Sequence, residues 1–131
     1  MNRITKGMAL VGDFNNMGVR FTVGAEVGNA INVAIQLLDG NGQELSRRAA
    51  LPWYLSSDAN GDTVASAPSG GIAIGTDGLL LEWTNNVSGL AVSESDGDID
   101  VTLTDTGTPT FYLVLVLPNG RLAVSPAITF A

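Results

Sequence analysis

Three carboxylates at alternate positions, Asp96, Asp98 and Asp100, are the part of the chain that could most readily do chemistry. In the run DGDID they match the start of a calcium-binding loop, whose oxygen ligands also recur at alternate positions. An EF-hand further needs glycine at the sixth position and glutamate at the twelfth, where this chain has Val101 and Gly107. The sequence therefore excludes an EF-hand. A weak calcium site between loops stays open, but we predict no metal ligands.

The same carboxylates could in principle supply the acid and the base for glycoside hydrolysis. Such a pair needs two groups with different pKa values, and nothing in the sequence sets one carboxylate apart from another. The chain has no histidine and no cysteine, which removes the commonest zinc ligands, thiol chemistry and every nucleophile paired with an imidazole. We therefore predict no enzyme activity, no catalytic residue and no cofactor.

The two tryptophans could bind a sugar by stacking, as in carbohydrate-binding modules. However, Trp53 alternates with Leu51 and Leu55, and Trp83 alternates with Leu81. Because alternate residues of a strand share a face, this spacing groups both indoles with aliphatic side chains. We predict that both tryptophans lie in the core.

Turn signals divide the single domain of 131 residues into short strands. Asn-Gly and Asp-Gly pairs, which favour tight turns, recur at regular intervals. Between them apolar and polar residues alternate, as in Val19–Val23, Ile31–Leu37 and Ile99–Leu103. No window shows a convincing helical period. The pattern predicts an all-β sandwich of about seven to nine antiparallel strands with Greek-key connections.

The segment Phe111–Leu117 departs from this alternation because it is apolar on both faces. Either it is a central strand whose second face is covered within the molecule, or that face meets another subunit or surface. Tyr112, Val114 and Val116 share the second face, and we predict that they contact a partner.

Residues 1–17 are predicted to form an N-terminal arm or first strand, with the sandwich over residues 18–131. A frayed terminus is the alternative. The segment combines cationic and apolar side chains, so it could dock on a partner. The side chains predicted to make that contact are Arg3, Ile4, Lys6 and Met8.

The net charge of −7 disfavours nucleic-acid binding through a basic face. No apolar run approaches the roughly 20 residues that span a bilayer, and we predict no membrane partner. The start of the chain lacks the apolar stretch of a signal peptide. With no cysteine either, we expect the protein to fold in a cytoplasm.

Two parts of the chain resemble immunoglobulin-like domains attached to tailed-phage virions. One is Pro52–Gly61, a strand followed by a turn, and the other is the C-terminal series Ile99–Leu103, Gly107–Thr110, Phe111–Leu117 and Pro118–Arg121. The composition is also similar to that of phage head-decoration (cement) proteins, which are short, acidic and free of cysteine and histidine.

The resemblance implies an immunoglobulin-like β-sandwich that binds the outside of an icosahedral capsid without catalysis. Its partner would be the major capsid protein, its location the outer surface of the virion, and its state a homo-oligomer, often a trimer. Folding would take place in the cytoplasm of the bacterial host. A surface-adhesion or carbohydrate-binding module is the alternative function, and a hydrolase is the third.

The capsid function leads to an expectation about the predicted contacts. Deletion of residues 1–10, or replacement of Val114 and Val116 by aspartate, should abolish incorporation into particles while leaving a folded β protein.

Overall fold

Two antiparallel sheets pack face to face to form the molecule. A computed structural model describes residues 16–131, so the predicted contacts Arg3, Ile4, Lys6 and Met8 lie outside the described residues. In chain order the strands are β1 (Gly18–Val23), β2 (Ala30–Leu38), β3 (Ala50–Ser56), β4 (Ile72–Ile74), β5 (Leu79–Thr84), β6 (Ser88–Val92), β7 (Asp98–Thr104), β8 (Thr110–Val116), β9 (Leu122–Val124) and β10 (Ile128–Thr129).

The four-stranded sheet has the order β1-β2-β7-β4, and the six-stranded sheet has the order β10-β8-β3-β6-β5, with β9 also paired to β8. The chain passes between the sheets five times, after β2, β3, β4, β6 and β7. These crossings confirm the predicted immunoglobulin-like β-sandwich. The described residues form ten strands, slightly more than predicted, because the C-terminal segment contributes two very short ones.

The core follows from the period of two along each strand. In β2 and β7 every second side chain is buried, while the residues between them face solvent. Trp53 is 1% exposed, which confirms its predicted place in the core. The rings of Phe111 and Phe130 pack edge to face in the core, with centroids 6.2 Å apart. The fully buried large side chains are Ile31, Val33, Leu37, Leu51, Trp53, Leu55, Ile99, Leu103, Leu113, Leu115, Ile128 and Phe130.

Most of the predicted Asx-Gly turns are present. The glycines of five pairs adopt a positive φ: Gly42, Gly61, Gly78, Gly97 and Gly120. Strand β6, in contrast, was not predicted. Its sequence SGLAV is short and contains a glycine, which weakens a strand pattern.

Asp105 connects two loops at one end of the sandwich. Its carboxylate accepts hydrogen bonds from the backbone N–H of Ser69 at 2.8 Å and of Gly107 at 2.7 Å. Little of the residue is exposed. The two backbone donors, Ser69 first, hold the pKa of Asp105 below its ordinary value of 3.8, because both bonds favour the ionised form.

We expect Asp105→Asn to destabilise the protein at neutral pH and to have less effect in acid. Because the folded-state pKa is lowered, the ionised carboxylate adds stability above the unfolded-state pKa, and this stability is lost as the pH falls through the folded-state pKa. Urea denaturation of the wild type and the variant across a pH series measures the difference. Asp62→Asn, at an exposed residue, is the control. A difference that stays constant into acid would contradict the role of the charge.

Candidate docking surface

The predicted contacts on β8 lie beneath or beside a loop of the same molecule. Val114 is 0% exposed, whereas Tyr112 and Val116 are half-buried. Val114 pairs with Tyr54 of β3 and with Val124 of β9, so it lies on the outer face of the six-stranded sheet. The loop of residues 57–65 covers it there. The first of the two alternatives for Phe111–Leu117 thus describes this part of the strand, and Val114 itself offers no surface to a partner.

The 57–65 loop rests directly on the sheet at Gly61. A Cβ atom built at Gly61 would lie 3.1 Å from Tyr54 Oη, 3.3 Å from Leu122 Cδ1 and 3.5 Å from Val114 Cγ2. The Tyr54 hydroxyl donates a 2.6 Å hydrogen bond to the Gly61 carbonyl. Burial, and then the nearby charges of Asp62 and Asp58, raise the pKa of Tyr54. The hydroxyl therefore keeps the proton that it donates.

Further hydrogen bonds give the 57–65 loop a defined shape. The Asp58 carboxylate accepts from the backbone N–H of Asn60 at 3.1 Å and of Asp62 at 2.9 Å. The Ser56 hydroxyl donates to the carbonyl of Thr63 at 2.8 Å. Within residues 16–131, no buried side-chain nitrogen or oxygen lacks a hydrogen-bond partner. The loop is an integral part of the fold.

Among the residues that the structure describes, no loop covers the other half of the same sheet face. Registers between β3, β6 and β5 align two rows of side chains across the sheet, and every residue in both rows is apolar. The rows are Ala50–Val92–Leu79 and Pro52–Leu90–Leu81. Side chains directly opposite each other on neighbouring strands are in contact distance. These six residues form one continuous surface, which we call the apolar patch.

The apolar patch is accessible to solvent, most of all on the edge strand β5. Leu79 is 54% exposed and Leu81 is 50% exposed, and the β3 and β6 members are half-buried or exposed. Leu80, between them, points inward and packs against the core. Leu79 and Leu81, at alternate positions of one strand, thus extend the apolar surface of β3 and β6 to the edge of the sheet.

Trp83 lies at the end of β5 and is 67% exposed, so the prediction that it belongs to the core is wrong. The pairing of β5 with β6 shifts register between Glu82 and Thr84, which makes Trp83 the extra residue of a β-bulge. The bulge is not the cause of the exposure, because Leu79 and Leu81, with which Trp83 alternates, are exposed as well. The alternation grouped Trp83 with these leucines correctly, but that face of the edge strand β5 points to solvent and not to the core.

Trp53 and Gly89 allow the bulged strand β5 to pack closely against β6. Gly89 lies between Trp53 and Glu82 in the register of the sheet. Its missing side chain leaves space on the inner face, where Trp53 Nε1 donates to the carbonyl of Leu81 at 3.2 Å. A Cβ atom on Gly89 would lie only 1.7 Å from that carbonyl oxygen. Glycine is therefore required at this position.

The outer face of the four-stranded sheet is acidic and polar instead. A shallow groove of about 270 Å³ there is lined by Arg20, Thr22, Ala34, Ile35, Gln36, Asp77, Asp98, Ile99 and Asp100. As the alternation predicted, Asp98 and Asp100 share this solvent face, while Ile99 and Val101 point inward. Burial, and then the charge of Asp96, raise the pKa of Asp98.

The Asp100 carboxylate is used in local hydrogen bonds. It accepts from the backbone N–H of Asp77 at 2.8 Å and from Asn32 Nδ2 at 3.3 Å. In the part of the chain that the structure describes, no group of three or more acidic side chains is placed to hold a metal ion. In that same part, no helix is long and apolar enough to cross a membrane.

Over residues 16–131, fold and surface together define a β-sandwich module with one polar, acidic sheet face and one apolar face that these residues cover only in part. No protein-family model matches the chain, and no curated protein sequence matches it. Among solved structures it is similar to a cohesin module from the family 33 glycoside hydrolase of Clostridium perfringens ATCC13124. The two share 14% identity with a TM-score of 0.42, over 89% of this chain and 96% of that one. A likeness at this level bears on neither the partner nor the chemistry of this chain.

Proposed function

We propose that this protein is a non-catalytic decoration module of a tailed-phage head, which binds the major capsid protein on the outer surface of the shell and stabilises it. The apolar patch is the observation that carries the proposal. Folding in the cytoplasm of the bacterial host would precede addition to the virion. The protein would act there as a homo-oligomer.

The apolar patch has the size expected of one weak contact in an assembly in which many copies bind side by side. Two rows across three strands cover roughly 200 Å², taking strands about 4.8 Å apart and about 7 Å between rows. A stable interface buries about 800 Å² on each partner, so the patch alone would bind weakly. A shell presents many equivalent sites close together, and several weak contacts made at once give strong overall attachment.

The charge distribution supports docking through the apolar patch, with the opposite sheet face turned away from the shell. The apolar patch contains no charged residue, whereas Asp77, Asp98 and Asp100 lie on the opposite sheet face. A copy docked through the patch would turn its acidic face outward. The net charge of −7 favours solubility of the free protein before it docks.

A binding experiment on heads that lack the protein tests this proposal. We expect purified wild-type protein to co-sediment with such heads to saturation, and Leu90→Glu/Val92→Glu to bind at least about tenfold more weakly, because docking would bury two uncompensated charges. Both residues are on β6, within the patch. Val27→Glu, which replaces an exposed apolar residue outside the patch, is the control.

Circular dichroism and thermal melts establish that each variant is folded. Wild-type protein that fails to bind the heads, or a folded β6 variant that binds as the wild type does, would refute docking through the patch.

The exposed indole of Trp83 favours a second candidate, a carbohydrate-binding or adhesion module. An exposed aromatic ring next to an apolar surface can stack on the face of a sugar, and Trp83 has the required exposure. A glycan array probed with the wild type and with Trp83→Ala separates the two functions. Glycan binding that Trp83→Ala abolishes would favour the second candidate.

A further inference from the structure

Among residues 16–131, no strand pairs with the outer edge of β5, and this edge lacks the protection that the other sheet edges have. Strands β4, β9 and β10 are only two or three residues long. Strand β1 is six residues long, but both of its exposed side chains, Arg20 and Thr22, are polar, and Arg20 is paired with Glu44 at 3.6 Å. Strand β5 is also six residues long, and it presents three exposed apolar side chains and a single charge, that of Glu82. Natural sheets usually protect such an edge from pairing with another chain by a charged side chain, a proline or a very short edge strand.

The direction of the backbone groups on β5 shows which residues can pair. The Leu81 carbonyl points toward β6, since it lies close to Gly89 and accepts from Trp53 Nε1. Backbone groups of successive strand residues point to opposite sides. The N–H and C=O groups of Leu80 and Glu82 therefore point to the open side.

We infer that β5 pairs in antiparallel fashion with β5 of a second copy, around a twofold axis at Leu80. In this register Leu80 faces its own equivalent, and Leu79 of each copy faces Leu81 of the other. Gly78 faces Glu82, so no like charges are opposed. A register centred on Glu82 would oppose two glutamates, and one centred on Leu81 would include the bulge at Trp83. The charges of the strand thus favour the Leu80 register, in which apolar side chains meet apolar side chains.

The pairing makes the apolar patches of two copies continuous. Each row would run from Ala50, Val92 and Leu79 of one copy into Leu81, Leu90 and Pro52 of the other. The joined surface is twice as large and faces one direction. The inference does not rest on the proposed function, but it would give that function a bivalent docking unit.

Engineered cysteines test the register, because the natural chain has none. Leu79→Cys and Leu81→Cys are prepared separately, mixed and oxidised. We expect disulfide-linked dimers from the mixture and almost none from either variant alone, because the Cα atoms of such an opposed pair lie about 4.5 Å apart. The control mixture is Val27→Cys with Val64→Cys, at two exposed residues outside β5. Equal cross-linking in the control, or of Leu81→Cys alone, would overturn the register.

Sedimentation velocity on the free protein tests the association itself. We expect a concentration-dependent dimer for the wild type. Leu79→Lys/Leu81→Lys should dimerise at least about tenfold more weakly because it opposes like charges, and Leu79→Lys/Leu81→Glu should restore the dimer by opposing unlike ones. A monomer at every concentration, or a trimer, would overturn the inference.

These outcomes are separate from the test of capsid binding. The β6 variant Leu90→Glu/Val92→Glu leaves the β5 edge intact, so we expect it to dimerise as the wild type does while losing capsid binding.

Discussion

Replacement of Val114 by aspartate is expected to destabilise the protein by about 4 kcal/mol or to prevent folding, since a carboxylate would be buried without a partner. The sequence alone suggested that this variant would stay folded. The structure contradicts that expectation, because Val114 is fully buried beneath the 57–65 loop. Either the carboxylate stays buried and is neutralised at a cost, or the loop and its hydrogen bond to Tyr54 are displaced.

Val116→Asp provides the matched comparison. It lies two residues further along the same strand face, opposite Leu122 of β9, and it is half-exposed. We expect this variant to lose about 1 kcal/mol or less, as most surface substitutions do. Urea denaturation of the two variants measures the difference in free energy of unfolding. Equal stability of both would show that the loop does not seal Val114 from water.

Gly89→Ala is expected to destabilise the protein by about 3 kcal/mol, at the upper end of the usual cost of overpacking. The added methyl group would lie 1.7 Å from the Leu81 carbonyl oxygen. That atom belongs to the backbone, so β5 itself has to move away from β6. The movement would also break the hydrogen bond from Trp53 Nε1 to the same carbonyl.

Thermal unfolding measures this effect, with an expected fall in Tm of roughly 10 °C. Gly18→Ala is the control on another strand, because a Cβ atom there would meet nothing closer than 3.8 Å. Its stability should stay within about 0.5 kcal/mol of the wild type. If Gly89→Ala were as stable as Gly18→Ala, the bulged pairing of β5 and β6 would be wrong.

Both predictions concern the six-stranded sheet, whose outer face the fold divides into two halves. On the β8 side, Val114 is sealed by a loop from the same chain. On the β5 side, Leu79 and Leu81 stay in contact with solvent. The burial of an apolar strand within the fold removes it as a docking surface, and the uncovered half becomes the candidate.

Local patterns in the sequence were sufficient for much of the fold. The alternation in Ile31–Leu37 and Ile99–Leu103 identified the strands and their buried faces, and the Asx-Gly pairs marked most of the turns. These features depend on neighbouring residues alone, because pleating fixes the side-chain period and a positive φ favours glycine.

The candidate docking surface depended on contacts between residues far apart in the chain. Trp53 and Trp83 have the same alternating context, yet the central strand β3 buries the first and the bulged edge strand β5 exposes the second. Leu90 and Val92 were missed because β6 has too weak a pattern. The period of two states which side chains share a face, but the packing of the whole chain decides which faces are covered. Because no described part of the chain packs on the β5 half of this face, Leu79 and Leu81 are exposed to solvent.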